Sequence, residues 1–268
     1  MSNLMRHLAP ISDEAWTEIT DEASAVLRQF LAARKLVEFV GPKGWQHAAE
    51  PLGRVTALAD PPHEGIAASL RRVQPLVELR ADIELDRSEV EAIDRGAADP
   101  DHGPVAEAAR RLALAEDRAV FDGYPAAGIE GIASASPHDH ISISDDYEEY
   151  PSSVAKAVSR LRLEGVEGPY GIALGPRCYQ GVMETTQRGG YPVLEHVRAI
   201  LGGPIVWAPS VSGAIVMSLR GGDFELVVGQ DVSLGYRSHT DTTVSLYLEE
   251  SMTFRALGPE AAVALRYD

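Results

Sequence analysis

The chain has 268 residues, 45% of them apolar and 24% charged, enough for one large globular domain or two modest ones. Its 24 Lys and Arg face 40 Asp and Glu, and a net charge of −16 argues against a nucleic-acid partner, because such binding draws most of its strength from basic side chains on phosphates. No run reaches the roughly 20 apolar residues of a membrane span, and Met1–His7 lacks the apolar stretch of a secretory signal, so no membrane partner and a cytoplasmic location are expected.

Taken in chain order, Ser12 is a good N-cap, and Trp16, Ile19, Ala23, Val26, Leu27, Phe30 and Leu31 recur at helical spacing, which predicts one long helix over 12–35. A short strand pattern, Leu36–Val40, follows, then a turn at Gly41-Pro42-Lys43-Gly44. Gly53–Leu58 reads as a strand and the Pro-rich stretch Ala59–Gly65 as a loop tip. From Leu76 to Leu85 the residues alternate, with Val77, Leu79, Ala81, Ile83 and Leu85 on one side, the pattern of a half-buried antiparallel strand. Two extended segments around a Pro-rich tip predict a protruding hairpin, and such an arm needs a neighbour to cover its apolar side. Residues 86–123 predict two helices, the first with a Ser88–Glu91 capping box, the second with Pro104 at its first turn. Residues 124–150 are rich in Gly, Ser, Asp and Pro and mark a subdomain boundary. Beyond them helices at 151–164, near 177–184 and at 193–201 alternate with strands at 170–174, 204–208 and 213–219. The remainder, 223–268, is strand-dominated, with Val244, Leu246, Leu248, Glu250 and Met252 sharing one face. The mixed order points to an α+β fold with no repeated βαβ unit.

Catalytic constellations are weak throughout. His138-Asp139-His140 offers two imidazoles but no third ligand, and Gly221-Gly222-Asp223 is too short for a phosphate-cradling loop. No Gly-x-Ser-x-Gly elbow occurs, and the acidic run Asp145–Glu149 lacks the spacing of a calcium loop. The single cysteine, Cys178, excludes an internal disulfide and reads as a core residue. The expectation is therefore an assembly protein with no catalytic residues and no metal, not an enzyme.

A series of short motifs carries a resemblance. Leu8-Ala9-Pro10-Ile11-Ser12 with Trp16, Gly41-Pro42-Lys43-Gly44-Trp45, Gln74-Pro75-Leu76-Val77-Glu78-Leu79-Arg80 and Glu116-Asp117-Arg118 resemble the encapsulin family. So do Gly165-Val166-Glu167-Gly168-Pro169-Tyr170, Arg220-Gly221-Gly222-Asp223-Phe224 and Gly229-Gln230-Asp231-Val232-Ser233-Leu234-Gly235-Tyr236. They stand in family order along nearly the whole chain. The resemblance implies the HK97-type phage capsid fold, with a peripheral domain over 1–45, 81–133 and 219–268, an extended loop over 46–80 and an axial domain over 134–218.

It also implies a function. Subunits would close into a hollow icosahedral shell, the smallest form (T=1) being favoured. A cargo protein, a dye-decolorising peroxidase or a ferritin-like protein, would dock on the inner wall through a C-terminal targeting peptide. The matching positions for that peptide are Leu27, Phe30, Leu31, Arg34 and Glu38 with Leu234 and Tyr236. The five-fold pore would be lined by Glu184, Thr185, Thr186, Gln187, Arg188, Gly189, Gly190 and Tyr191, where the opposite charges of Glu184 and Arg188 leave the sign of the pore field open. Some family members bind a flavin through an aromatic residue at the start of the helix at 86. Here that start reads Leu85-Asp86-Arg87-Ser88-Glu89, so no flavin and no other cofactor is expected. The competing readings are a phage capsid protein that packages DNA, against which the acidity and the N-terminal helix stand, and a hydrolase, for which no nucleophile–base pair is visible.

Overall fold

A computed structural model describes residues 4–267. After a single 3₁₀ turn at Arg6–Leu8, helix α1 (Asp13–Phe30) begins where Ser12 Oγ accepts the Ala15 N–H at 3.0 Å. It buries Ala15, Trp16, Ile19 and Ala23 in one stripe. The helix is shorter than its periodicity predicts, and the cause is tertiary. The Asp117 carboxylate, from a distant helix, accepts the Ala32 and Ala33 N–H groups at 3.0 and 2.9 Å, and the chain restarts there as a separate 3₁₀ turn, Ala33–Lys35.

Strand β1 (Glu38–Val40) precedes a long hairpin, β2 (Ala49–Leu58) and β3 (Ala68–Pro75), whose antiparallel register shifts between Pro51 and Val55. Strand β4 (Val77–Asp86) continues almost directly from β3 and buries Ala81, Ile83 and Leu85, as its alternation predicts. Helix α2 (Arg87–Asp94) is capped by Asp86, not by the expected Ser88–Glu91 box: Asp86 Oδ1 takes the Ser88 N–H at 2.9 Å, and Glu91 pairs with Arg87 at 3.1 Å instead. Helix α3 (Gly103–Phe121) carries Pro104 in its first turn and is buried along Val105, Ala108, Ala109 and Leu112.

Two short strands, β5 (Gly123–Tyr124) and β6 (Ile129–Glu130), and helix α4 (Ile132–Ala135) lead into β7 (Ile141–Ile143). Then follow α5 (Tyr150–Leu163), β8 (Tyr170–Leu174), α6 (Pro176–Glu184), α7 (Val193–Leu201), β9 (Ile205–Trp207) and β10 (Ala214–Ser218). The chain ends in β11 (Phe224–Val228), β12 (Ser233–His239), β13 (Thr243–Ala256) and β14 (Ala262–Tyr267).

Two five-stranded sheets organise these elements. In the first, β13 pairs with β4 along one edge and with β12 and then β11 along the other, while β1 adds in parallel to β11. Helices α1, α2 and α3 share a core with its strands β4, β12 and β13. The second sheet runs β7-β14-β10-β8-β9. Its core includes α5, α6 and α7 and reaches across to Phe224 and Phe254 of the first sheet. One placement differs from the sequence expectation. The last strand, β14, was expected with the peripheral elements of 219–268, but it lies between β7 and β10 in the second sheet. Its Ala262–Leu265 run is apolar and buried on both faces, which an interior strand of either sheet would satisfy, so its pairing is not readable locally.

The hairpin β2–β3 stands away from both cores. Val55, Leu58, Ile66, Leu70 and Val73 are each about half exposed or more, up to 62% at Val55. An arm with that apolar surface and no cover within its own subunit is expected to gain its burial on assembly. Deleting Leu52–Leu70 should therefore leave a folded subunit that does not assemble, seen as an unchanged circular dichroism spectrum with a monomer-sized gel-filtration peak. Intact particles from the deletion variant would remove this role from the arm.

Candidate functional site

Helix α1 and strand β12 lie against one core, and the residues singled out from the sequence fall into two groups there. Leu27 on α1 and Leu234 and Tyr236 on β12 pack against the same apolar cluster. Leu27 and Tyr236 are half-buried and keep some surface, whereas Leu234 is only 5% exposed and serves the core. Phe30, half-buried at the end of α1, meets Trp207 of β9 edge-to-face at 5.3 Å and lies under the Arg110 guanidinium at 5.7 Å. It therefore joins the first helix to the second sheet. Leu31 is buried and offers no surface to a ligand.

Arg34 has its hydrogen-bonding capacity committed inside the subunit. Its Nε donates to Glu116 at 2.9 Å, its Nη2 to Glu116 at 2.5 Å and Glu250 at 3.0 Å, and its Nη1 to Asp231 at 2.7 Å. The side chains of Glu116 and Glu250 are fully buried, so one guanidinium is shared between two carboxyl groups shielded from solvent. Burial and the neighbouring Glu116 hold the Glu250 carboxyl well above the ordinary range, and the carboxylates around Arg34 raise its own affinity for the proton against the effect of burial. This charge centre was only partly legible in the sequence. Glu250 interrupts an otherwise apolar face of β13, and that was its one signal. Glu38 is exposed on β1 and lines a separate cleft of about 260 Å³ with Arg34 and the Leu219–Asp223 turn.

The candidate pore loop follows α6. Glu184 ends that helix, and Thr185 and Thr186 begin a tight reversal closed by Gln187 N–H to Tyr191 C=O and Gly190 N–H to Gln187 C=O, both 2.9 Å. Gly189 and Gly190 have φ of +104° and +83°, which explains the glycine pair. The Gln187 side chain pins the loop, its Nε2 donating to Glu148 C=O at 3.0 Å and its Oε1 meeting His196 Nδ1 at 2.9 Å. Tyr191 is exposed, and Arg188 extends into solvent 3.9 Å from Glu148. Elsewhere, His138 Nε2 meets the Glu260 carbonyl at 2.9 Å, and Cys178 is buried with its Sγ 3.1 Å from Tyr267 Oη. Among the described residues no three His, Cys, Asp or Glu side chains are placed to hold a metal, and no helix is long and apolar enough to cross a membrane.

Two predictions follow from the charge centre. Arg34→Met leaves Glu116 and Glu250 facing each other without a cation, and should cost about 3–5 kcal/mol. Adding Glu116→Gln and Glu250→Gln should restore much of that, as read by thermal unfolding. The second concerns Asp117, whose carboxyl burial pushes up to about 7 against the two backbone N–H groups that favour its ionised form. The folded state then holds a proton that the unfolded state releases near pH 4, so this group's contribution falls as pH rises from about 4 to about 7. The melting-temperature difference between wild type and Asp117→Asn should shift against the wild type across that window. A difference that stays constant with pH would mean Asp117 is ionised throughout.

Comparison with known proteins bears on the whole chain. The family model described as "Encapsulating protein for peroxidase" matches residues 1–253. A type 1 encapsulin shell protein of Rhodospirillum rubrum is 53% identical, the match covering 99% of this chain and 97% of that protein. Among solved structures, a virus-like particle protein from Pyrococcus furiosus superimposes with a TM-score of 0.70 at 17% identity, over 94% of this chain and all of that one. The capsid protein of the Myoviridae phage XM1 superimposes with a TM-score of 0.56 at 9% identity, over 88% of this chain and 91% of the other. The fold is that of HK97-type capsid proteins.

Proposed function

Because this chain belongs to the type 1 encapsulin shell-protein family, we propose that its shell encloses a cargo protein whose C-terminal peptide docks between α1 and β12. The protein is a structural shell subunit, not an enzyme, and it self-assembles into a closed, capsid-like compartment. The finer reading concerns what enters that compartment and how. A peroxidase is the favoured cargo, consistent with the family description, with a ferritin-like protein as the other candidate. The smallest icosahedral shell, the cytoplasm as its location and the 184–191 loop as the five-fold pore complete the proposal.

One observation carries the docking site: apolar surface on α1 flanks an edge strand. Leu27 and Phe30, with Val26, remain half-buried beyond the closed stripe of Ala15, Trp16, Ile19 and Ala23, and β12 has a partner strand, β13, on one edge only. An extended peptide with aliphatic anchors suits that combination, because strand addition supplies main-chain hydrogen bonds and the flanking pockets supply specificity. In this reading Leu234 forms the floor, Tyr236 the rim, and Arg34 acts through the backbone it holds in place. Leu31 is left with a core role.

For the pore, Gln187 fixes the loop's shape, and Glu184, Arg188 and Tyr191 face outward to meet their copies around the axis. With both charge signs in the ring, a neutral or weakly polarised opening fits better than a strongly ion-selective one.

The test is cargo loading. Shells purified from the native source identify co-purifying protein by mass spectrometry, and the C-terminal tail of that protein is fused to a fluorescent reporter. Wild-type shells should load the reporter, and Phe30→Asp or Leu27→Asp shells should lose at least nine-tenths of it while keeping their diameter in negative-stain micrographs. Full loading into both variants would place the docking site elsewhere, and the particle diameter fixes the size class.

A further inference from the structure

The chain's own N-terminal segment lies across one end of the docking surface proposed between α1 and β12. The Leu4 carbonyl accepts the Tyr236 N–H at 2.8 Å, so the segment takes a main-chain donor on the edge of β12 that faces away from β13. Two residues on, the Arg6 guanidinium lies 4.2 Å from the centre of the Trp16 ring on α1, and its Nη2 donates to Thr20 Oγ1 at 3.4 Å. Ala9 and Ile11 then pack onto the same core as Leu27 and Tyr236, and the chain enters α1.

These contacts hold the segment lightly. None of Arg6–Leu8 is buried, and Met5 and Leu8 are 46% and 56% exposed. A cleft of about 550 Å³ stays open between Arg6, His7, Ile11 and Trp16. Met5 sits at φ +51°, in the left-handed region that a side chain with a Cβ adopts only at a cost. The segment nevertheless offers what the groove suits: two leucines, Leu4 before a single 3₁₀ turn and Leu8 at its end, joined to the sheet edge through the Leu4 carbonyl.

We propose that residues 4–9 form a displaceable strap that occupies the Tyr236 end of the docking groove and competes there with the targeting peptide of the cargo. The proposal rests on the docking reading above and adds its regulation. An incoming peptide that pairs with β12 as far as Tyr236 must take the N–H that Leu4 holds. The strap then leaves as one piece, because Arg6 stacked on Trp16 is its main remaining anchor. An empty groove is thereby kept covered, and cargo affinity is set by the difference between two peptides.

The experiment supplies the strap in trans. A fluorescein-labelled peptide of residues 2–9 is titrated by anisotropy into assembled wild-type shells and into shells lacking residues 2–8. Saturable binding to the deletion shells, at least tenfold tighter than to wild type, is expected, and an Arg6→Ala peptide should bind at least fivefold more weakly. Equal binding to both shells, or none to intact deletion shells, overturns the strap. Should the deletion variant not assemble, full-length Arg6→Ala shells report instead: the Tyr236 amide should exchange with deuterium at least tenfold faster, and unchanged exchange overturns the proposal. Loading of the tail-fused reporter separates the two claims. Tighter loading into deletion shells supports competition, and equal loading into both shells overturns it. Loading into neither, with the strap peptide still bound by deletion shells, removes the docking reading while the strap's hold on β12 stands.

Discussion

One guanidinium holds together parts of this subunit that lie far apart in sequence. Arg34 joins the turn after α1 to α3 through Glu116, to β13 through Glu250 and to the approach of β12 through Asp231. Beside it, Asp117 takes the backbone N–H groups that helix α1 leaves behind when it stops at Phe30. Two adjacent residues on α3 therefore determine both where the first helix ends and how it is fastened. A buried ion pair is a poor source of net stability, because both partners lose their hydration. What it does impose is geometry: with two carboxyl groups fully buried, only the arrangement that brings both to the one cation gives them a charged partner.

That constraint propagates outward. The fastened end of α1 presents Phe30 to Trp207 and so couples the first sheet to the second. The second sheet receives its own tie from the end of the chain, since β14 inserts between β7 and β10. Both sheets thus include strands contributed late in the sequence, and the two cores cannot be completed independently. The arm β2–β3 is the exception. It is covalently continuous with β4 but shares neither core, which suits a segment whose apolar side is completed by another subunit.

The two regions proposed to act in function differ in how they are held. The 184–191 loop is closed by backbone hydrogen bonds and pinned by Gln187, with glycines only where φ is positive. The N-terminal segment meets β12 through the Leu4 carbonyl and α1 through Arg6, which stacks on Trp16 and donates to Thr20.

Local chemistry in the sequence was enough to place most elements. Alternation located β4 and β13, the Ser12 cap and the apolar stripe located α1, Pro104 the start of α3, and the family motifs the capsid fold as a whole. The exposed apolar arm was also legible, because no helix period or core partner accounted for its residues. What the sequence could not show was decided at long range. The end of α1 depends on a carboxylate 85 residues away, the cap of α2 on Asp86 rather than Ser88 accepting the free backbone N–H, and the sheet of β14 on pairing that its apolar Ala262–Leu265 run leaves unspecified. At the candidate site the residue types were readable, but not their roles. Arg34 and Leu31 look like ligand contacts in one dimension and are absorbed by the subunit in three. The placement of the N-terminal segment over Tyr236 rests on a backbone hydrogen bond, which no side-chain pattern encodes. Periodicity records which face of an element is apolar, whereas only the tertiary structure determines which partner, cation or main chain completes it.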